Sequence, residues 1–173
     1  MFFELIATVF AGLAAAGLVM LFNRVTGGRL PRWFMPVAAG AAMLAATVSS
    51  EYGWYGRTTS MLPEGVEVIE TVENQKWYRP WTLAFPFVER FNALDRASLR
   101  THPDQPGKTL ADLYYYGRWA PLNRRSILTD CAAGRLAVIG DGVTIAEDGT
   151  ITGLEWFAPG KDDPILTAIC GGA

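Results

Sequence analysis

The 173-residue chain is half hydrophobic and only 18% charged, with 17 acids against 15 bases and a formal net charge of −2. That balance excludes a nucleic-acid binder, because neutralising phosphates demands a clustered basic excess. A single histidine, His102, likewise excludes a multi-histidine metal centre built within one chain.

The first fifty residues form two apolar runs split by an Arg-bearing, Gly-rich turn. Phe2 to Phe22 carries one charge, Glu4, and at about 1.5 Å per residue reaches roughly 31 Å, the thickness of a hydrocarbon core. Trp33 to Val48 reaches roughly 24 Å and must recruit the next few residues, thin the bilayer or lean on protein neighbours to cross. The pattern predicts a transmembrane helical hairpin over residues 1–50, with spans at about 2–22 and 33–50. Arg24, Arg29 and Arg32 stand between the runs with no acid beside them, whereas the outer flanks hold Glu4, Glu51 and Arg57. Cytoplasmic loops are enriched in Lys and Arg, so the connecting loop is expected inside. Both termini and residues 51–173 are then outside: a multi-pass protein of a bacterial inner (cytoplasmic) membrane with a periplasmic domain. A cleavable signal peptide competes for the first run, but the start Met1-Phe2-Phe3-Glu4 is acidic rather than basic. Trp33 and Phe34 at one boundary and Tyr52, Trp54 and Tyr55 at the other suit headgroup depth.

Lipid offers helices no hydrophobic drive to associate, so packing requires close backbone approach. Gly12, Ala16 and Gly17 in the first run and Gly40 and Ala41 in the second are the expected packing positions. Val37 to Ala46 is small on nearly every face, more than one neighbouring helix would use. A plain two-helix anchor and a span docked against another membrane protein both fit that composition.

Residues 51–173 suffice for one domain with its own core. They hold 16 acids and 12 bases, a surface that could face a basic soluble partner such as a cytochrome c. Val66 to Val72 alternates imperfectly, Glu73-Asn74-Gln75-Lys76 supplies a turn and Trp77-Tyr78-Arg79 resumes, which predicts a hairpin. Phe91 to Arg100 has period two, with an amphipathic helix as its competitor, and aromatic-rich Leu110 to Trp119 is assigned to a strand. Strands follow at Ser126–Cys131 and Arg135–Ile139 around an Ala132-Ala133-Gly134 turn. A last hairpin joins Val143–Ala146 to Thr150–Phe157 through Glu147-Asp148-Gly149. Asp162 or Asp163 can cap a helix with Pro164 in its first turn, continuing from Ile165 to Cys170. The expected fold class is a membrane α-hairpin followed by an extracytoplasmic α+β domain, mainly antiparallel β with a short C-terminal helix.

Cys131 and Cys170 both fall in the exported domain, where an oxidising compartment lets disulfides persist, so a bond between them is expected. Two free buried thiols are the alternative, and no Cys-x-x-Cys spacing points to a redox centre. The segment Thr129-Asp130-Cys131-Ala132-Ala133-Gly134-Arg135, the later Gly153-Leu154-Glu155-Trp156 and the terminal Pro164-to-Cys170 element together resemble small uncharacterised bacterial envelope proteins. In those proteins a strand cysteine and a near-terminal cysteine flank a β-hairpin carrying a tryptophan. The run Trp77-Tyr78-Arg79-Pro80-Trp81 is similar to one in membrane-anchored proteins of unknown function. The resemblance implies a two-cysteine β-rich domain on a membrane anchor and no activity.

No Gly-x-Ser-x-Gly elbow, Walker loop, dinucleotide fingerprint or haem-attachment Cys-x-x-Cys-His occurs, so neither catalysis nor a cofactor is expected. Asp141, Glu147 and Asp148 lie near glycine turns but lack EF-hand spacing and read as hairpin tips. Aromatic density is the remaining signal. Trp77, Tyr78, Arg79 and Trp81, with Tyr115 and Trp119, are the expected docking residues, since Trp, Tyr and Arg anchor interfaces. A domain core, a membrane-interface belt or a small-ligand pocket would use the same side chains. The function that joins these signs is a non-catalytic accessory subunit of a multi-subunit inner-membrane complex, with integral membrane subunits and the bilayer as partners. Base rates point to a respiratory electron-transfer complex, a cytochrome bc1 or terminal oxidase assembly. The alternative is an independent membrane-anchored assembly factor or ligand-binding protein.

Overall fold

The computed structural model describes residues 2–103, 105–140, 142–145, 151–160 and 162–171. The chain divides into two compact units, Met1–Gly56 and Arg57–Ala173.

The first unit is built from α1, Phe2–Val25, and α2, Phe34–Thr59, both long and apolar enough to cross a membrane. α1 ends where Gly27 and Gly28 take φ values of 74° and 79°, which a Cβ would disfavour. The Gly28 N–H donates to the Asn23 carbonyl at 2.7 Å, and Asn23 Oδ1 accepts from the Leu30 N–H at 2.9 Å, closing the turn. α2 continues to Thr59, past the Ser50 boundary that hydropathy suggests. Apolar composition marks where lipid would end, whereas a helix propagates as long as its backbone bonds do, and no proline interrupts Ser49 to Thr59. Gly12 is the buried residue of α1. A Cβ there would stand 2.8 Å from Met43 Cε, so the bare glycine is what lets the Met43 side chain lie against the α1 backbone. At the other end of the pair, Ser50 Oγ donates to Glu4 Oε1 at 2.9 Å.

The second unit is a five-stranded antiparallel meander in the order β1-β2-β3-β4-β5, formed by Val66–Asn74, Phe87–Thr101, Lys108–Gly117, Ala120–Asp130 and Arg135–Ile139. Phe91–Arg100 lies in β2, as its period suggests; of the aromatic-rich Leu110–Trp119, Leu110–Gly117 lies in β3, while Arg118 and Trp119 fall in the turn after it. Short turns fix the order: Arg118 and Trp119 alone join β3 to β4, and Gly134, at φ 61°, turns β4 into β5. The β2–β3 register jumps from Asp95↔Asp112 to Arg100↔Leu110. Ser98 Oγ stitches this bulge, accepting from the Asp112 N–H at 2.8 Å and donating to the Asp95 carbonyl at 2.7 Å.

Phe91, Ala93, Leu128 and Ala137 are buried on one sheet face, and the main core cluster lies on the other. Leu94, Ala111, Leu113, Ile127 and Leu136 are buried there beneath Leu166 and Ile169 of α4, Pro164–Cys170. α4 starts as its sequence indicates. Asp163 is the N-cap, its Oδ1 accepting from the Ile165 and Leu166 N–H groups at 3.0 Å each, with Pro164 in the first turn. Cys131 and Cys170 lie at disulfide distance, Cα to Cα 5.6 Å, tying the helix to the residue after β4.

Two sequence expectations are corrected. Trp77–Arg79 does not pair with Val66–Val72: β1 pairs with β2, and Trp77–Arg79 belongs to the loop between them, which leads into the short α3, Trp81–Ala84. Pro80 and Pro86 have no N–H for a ladder, so the segment cannot serve as a paired strand. Of the last hairpin, the described residues hold β6, Thr144–Ile145, paired to β7, Ile151–Thr152, while residues 146–150 lie outside the described residues. Phe157 exchanges backbone hydrogen bonds with Leu136 of β5 at 2.9 and 3.0 Å rather than extending β7. Asp141, Glu147 and Asp148 lie outside the described residues.

Candidate docking surface

The β1–β2 loop presents apolar side chains in an ordered frame. Trp77 is 85% exposed and Phe85 71%, with Tyr78, Trp81 and Leu83 also exposed. The frame is Thr82, which is fully buried. Its Oγ1 accepts from the Lys76 N–H at 2.9 Å and donates to the Arg79 carbonyl at 2.7 Å, while its own N–H donates to the same carbonyl at 2.8 Å. The root of the loop is held to β2 through Glu89, whose carboxylate accepts from Asn74 Nδ2 and from Lys76 Nζ, the latter at 3.2 Å. The Asn74 hydrogen bond holds the Glu89 carboxyl below its ordinary value, partial burial opposes this and Lys76 adds to it.

Of the six docking residues expected from sequence, four lie in this loop: Trp77, Tyr78, Arg79 and Trp81. Trp77 and Tyr78 meet edge to face at 6.0 Å, and the Arg79 guanidinium lies 5.7 Å from the Tyr78 ring centre. Trp119, 53% exposed, is in the β3–β4 turn with Arg118 4.8 Å from its ring. The register Asn74↔Phe87 and Arg90↔Gly117 puts that turn at the same end of the sheet as the loop. Tyr115 is half-buried and packs against the core cluster; burial pushes its hydroxyl pKa up, with Arg125 opposing. Thr82 and Leu83 were missed from sequence, because a lone threonine among aromatics carries no pattern.

Among the small helix residues, Gly12 is in contact with Met43, Ala16 and Gly17 are partly covered, and Gly40 and Ala41 are exposed on α2. A Cβ built at Gly17 or Gly40 meets nothing within 4 Å.

Two further features lie away from the loop. Asp112 on β3 accepts from Arg124 Nη2 and Ser126 Oγ of β4, each at 2.6 Å. Burial alone would raise its carboxyl, but these donors outweigh it and hold the pKa low. A carboxylate so engaged ties two strands together. An open cavity of about 260 Å³ has Leu110, Leu128 and Ile151 on its wall and Arg100, His102 and Lys108 at its polar side. Lys108 Nζ donates there to Gln105 Oε1 at 2.8 Å. Comparison with family models, with curated proteins and with solved structures finds no match to the chain.

Proposed function

We propose that the protein is a membrane-anchored, non-catalytic accessory subunit. In this reading α1 and α2 sit in an inner membrane, the small face of α2 docks on helices of other subunits, and the disulfide-bonded sheet domain lies outside the cytoplasm. Gly40 and Ala41 carry the reading. Both are exposed on an apolar helix and Gly40 has open space where a Cβ would stand, whereas α1 already uses its own glycine, Gly12, against Met43. A bare small face is what a further transmembrane helix needs for close approach. The Cys131–Cys170 pair supports an oxidising compartment for the second unit.

Native purification through a C-terminal tag is expected to bring integral membrane subunits with the protein, and their identity decides whether the complex is respiratory. Replacing Gly40 and Ala41 together with Leu should release those subunits while leaving membrane insertion intact. If the chain purifies alone in mild detergent, and its deletion changes no membrane complex, the independent envelope factor replaces this reading.

A further inference from the structure

Anchoring and docking by the helices leave the loop between β1 and β2 unused. We propose that this loop is an interfacial foot that rests on an anionic lipid headgroup layer, a second membrane contact made by the sheet domain itself. The inference rests on the reading above only in that α1 and α2 bring the chain to a bilayer.

Three observations converge on lipid. Trp77, Tyr78, Trp81, Leu83 and Phe85 are all exposed within nine residues, a density that ordinary soluble surfaces avoid. Trp and Tyr prefer headgroup depth, with an apolar ring body and a polar edge, and Leu and Phe suit the acyl boundary just beneath. The exposure is built in: Thr82, buried and triply hydrogen-bonded to the Lys76 and Arg79 backbone, holds the segment in one shape, so the rings are displayed without a folding cost at the moment of contact. Charge is the third sign. From Gln75 to Val88 the chain carries no acid; Lys76 at the root is paired with Glu89 of β2, which leaves Arg79 as the cation set among the rings, in a domain of 16 acids against 12 bases. A cation among exposed aromatic rings, in a segment without acids, complements anionic headgroups, which attract nearby Lys and Arg.

Six tryptophans, Trp33, Trp54, Trp77, Trp81, Trp119 and Trp156, allow a direct test. The full chain is reconstituted in vesicles of phosphatidylcholine and phosphatidylglycerol containing lipid brominated close to the headgroup, and its emission is compared with W77F/W81F and with W33F. Emission lost in W77F/W81F isolates the loop. It should be mostly quenched by the brominated lipid and shielded from aqueous iodide, and the lipid quenching should fall when phosphatidylglycerol is omitted. Trp77→Phe alone, at the most exposed site, repeats the measurement if the double variant folds poorly. If the Trp33 component is quenched by lipid but the loop component remains open to iodide, the foot is overturned and the membrane anchor stands. If neither is quenched, the anchor reading fails and takes the foot with it. A loop open to iodide in pure lipid yet shielded in native membranes would make it a protein dock and overturn the lipid proposal. Quenching indifferent to phosphatidylglycerol would overturn its anionic preference.

Discussion

Thr82 shows how much of the aromatic loop hangs on one hydroxyl. Replacing it with Val keeps the volume but leaves the Lys76 N–H without its acceptor, at a cost of about 1–3 kcal/mol for an unsatisfied buried group. Thermal unfolding should therefore drop clearly for Thr82→Val and barely for Thr82→Ser. Carboxylates set the acid limit at the same scale. Glu89 is held low by Asn74, and Asp112 and Asp130 are held low despite burial, the first by Ser126 and Arg124, the second by the Ala133 N–H and Arg135. A carboxyl with a depressed folded pKa contributes stability above its ordinary value, here 3.8 for Asp and 4.5 for Glu, and loses it as pH falls through the folded value. The unfolding temperature should be flat above roughly pH 5 and fall below roughly pH 4, with a shallower fall in Asp112→Asn.

α4 and its disulfide decide stability at the scale of elements. A helix this short is marginal by itself, and its Leu166 and Ile169 gain only by capping the sheet core. The Cys131–Cys170 link closes 39 residues of separation, for which chain entropy gives about 4 kcal/mol. Cys170→Ala should lower the stability of the sheet domain by a few kcal/mol, read by denaturant unfolding without reductant. Intact protein should show no reactive thiol under denaturing, non-reducing conditions. Quantitative labelling there would remove both the bond and the compartment argument. The start of α4 was legible because an Asp-Pro pair before an apolar run is local chemistry. The partner of β1 was not, since alternation in Val66–Val72 marks a strand without saying which strand lies beside it.

For the whole molecule, the charge pattern makes an orientation prediction. With Arg24, Arg29 and Arg32 inside, a reporter that matures only in the cytoplasm should stay dark when fused after Ala173. A bright fusion would invert the topology. The same two-unit plan separates the tests of function: Gly40 and Ala41 belong to the helical unit and Trp77 and Trp81 to the sheet unit. Losing the partner subunits and losing the lipid foot are therefore distinguishable by which pair is changed.

Much of the architecture follows from local signals. Two long apolar runs make helices, a period-two run makes β2, an aromatic-rich run makes β3, glycine turns punctuate them, and an Asp-Pro cap begins α4. Each depends on residues within a few positions of one another, so a linear reading reaches them. Tertiary structure alone decided what stands opposite what. It brought Asp112 to Arg124 and Ser126 across a strand pair and put Met43 on Gly12. It also turned the aromatic run from an expected strand into an exposed loop framed by Thr82. Periodicity assigns a residue to a face, but the neighbours on that face come from pairing between segments distant in sequence, and that is where the candidate surface is made.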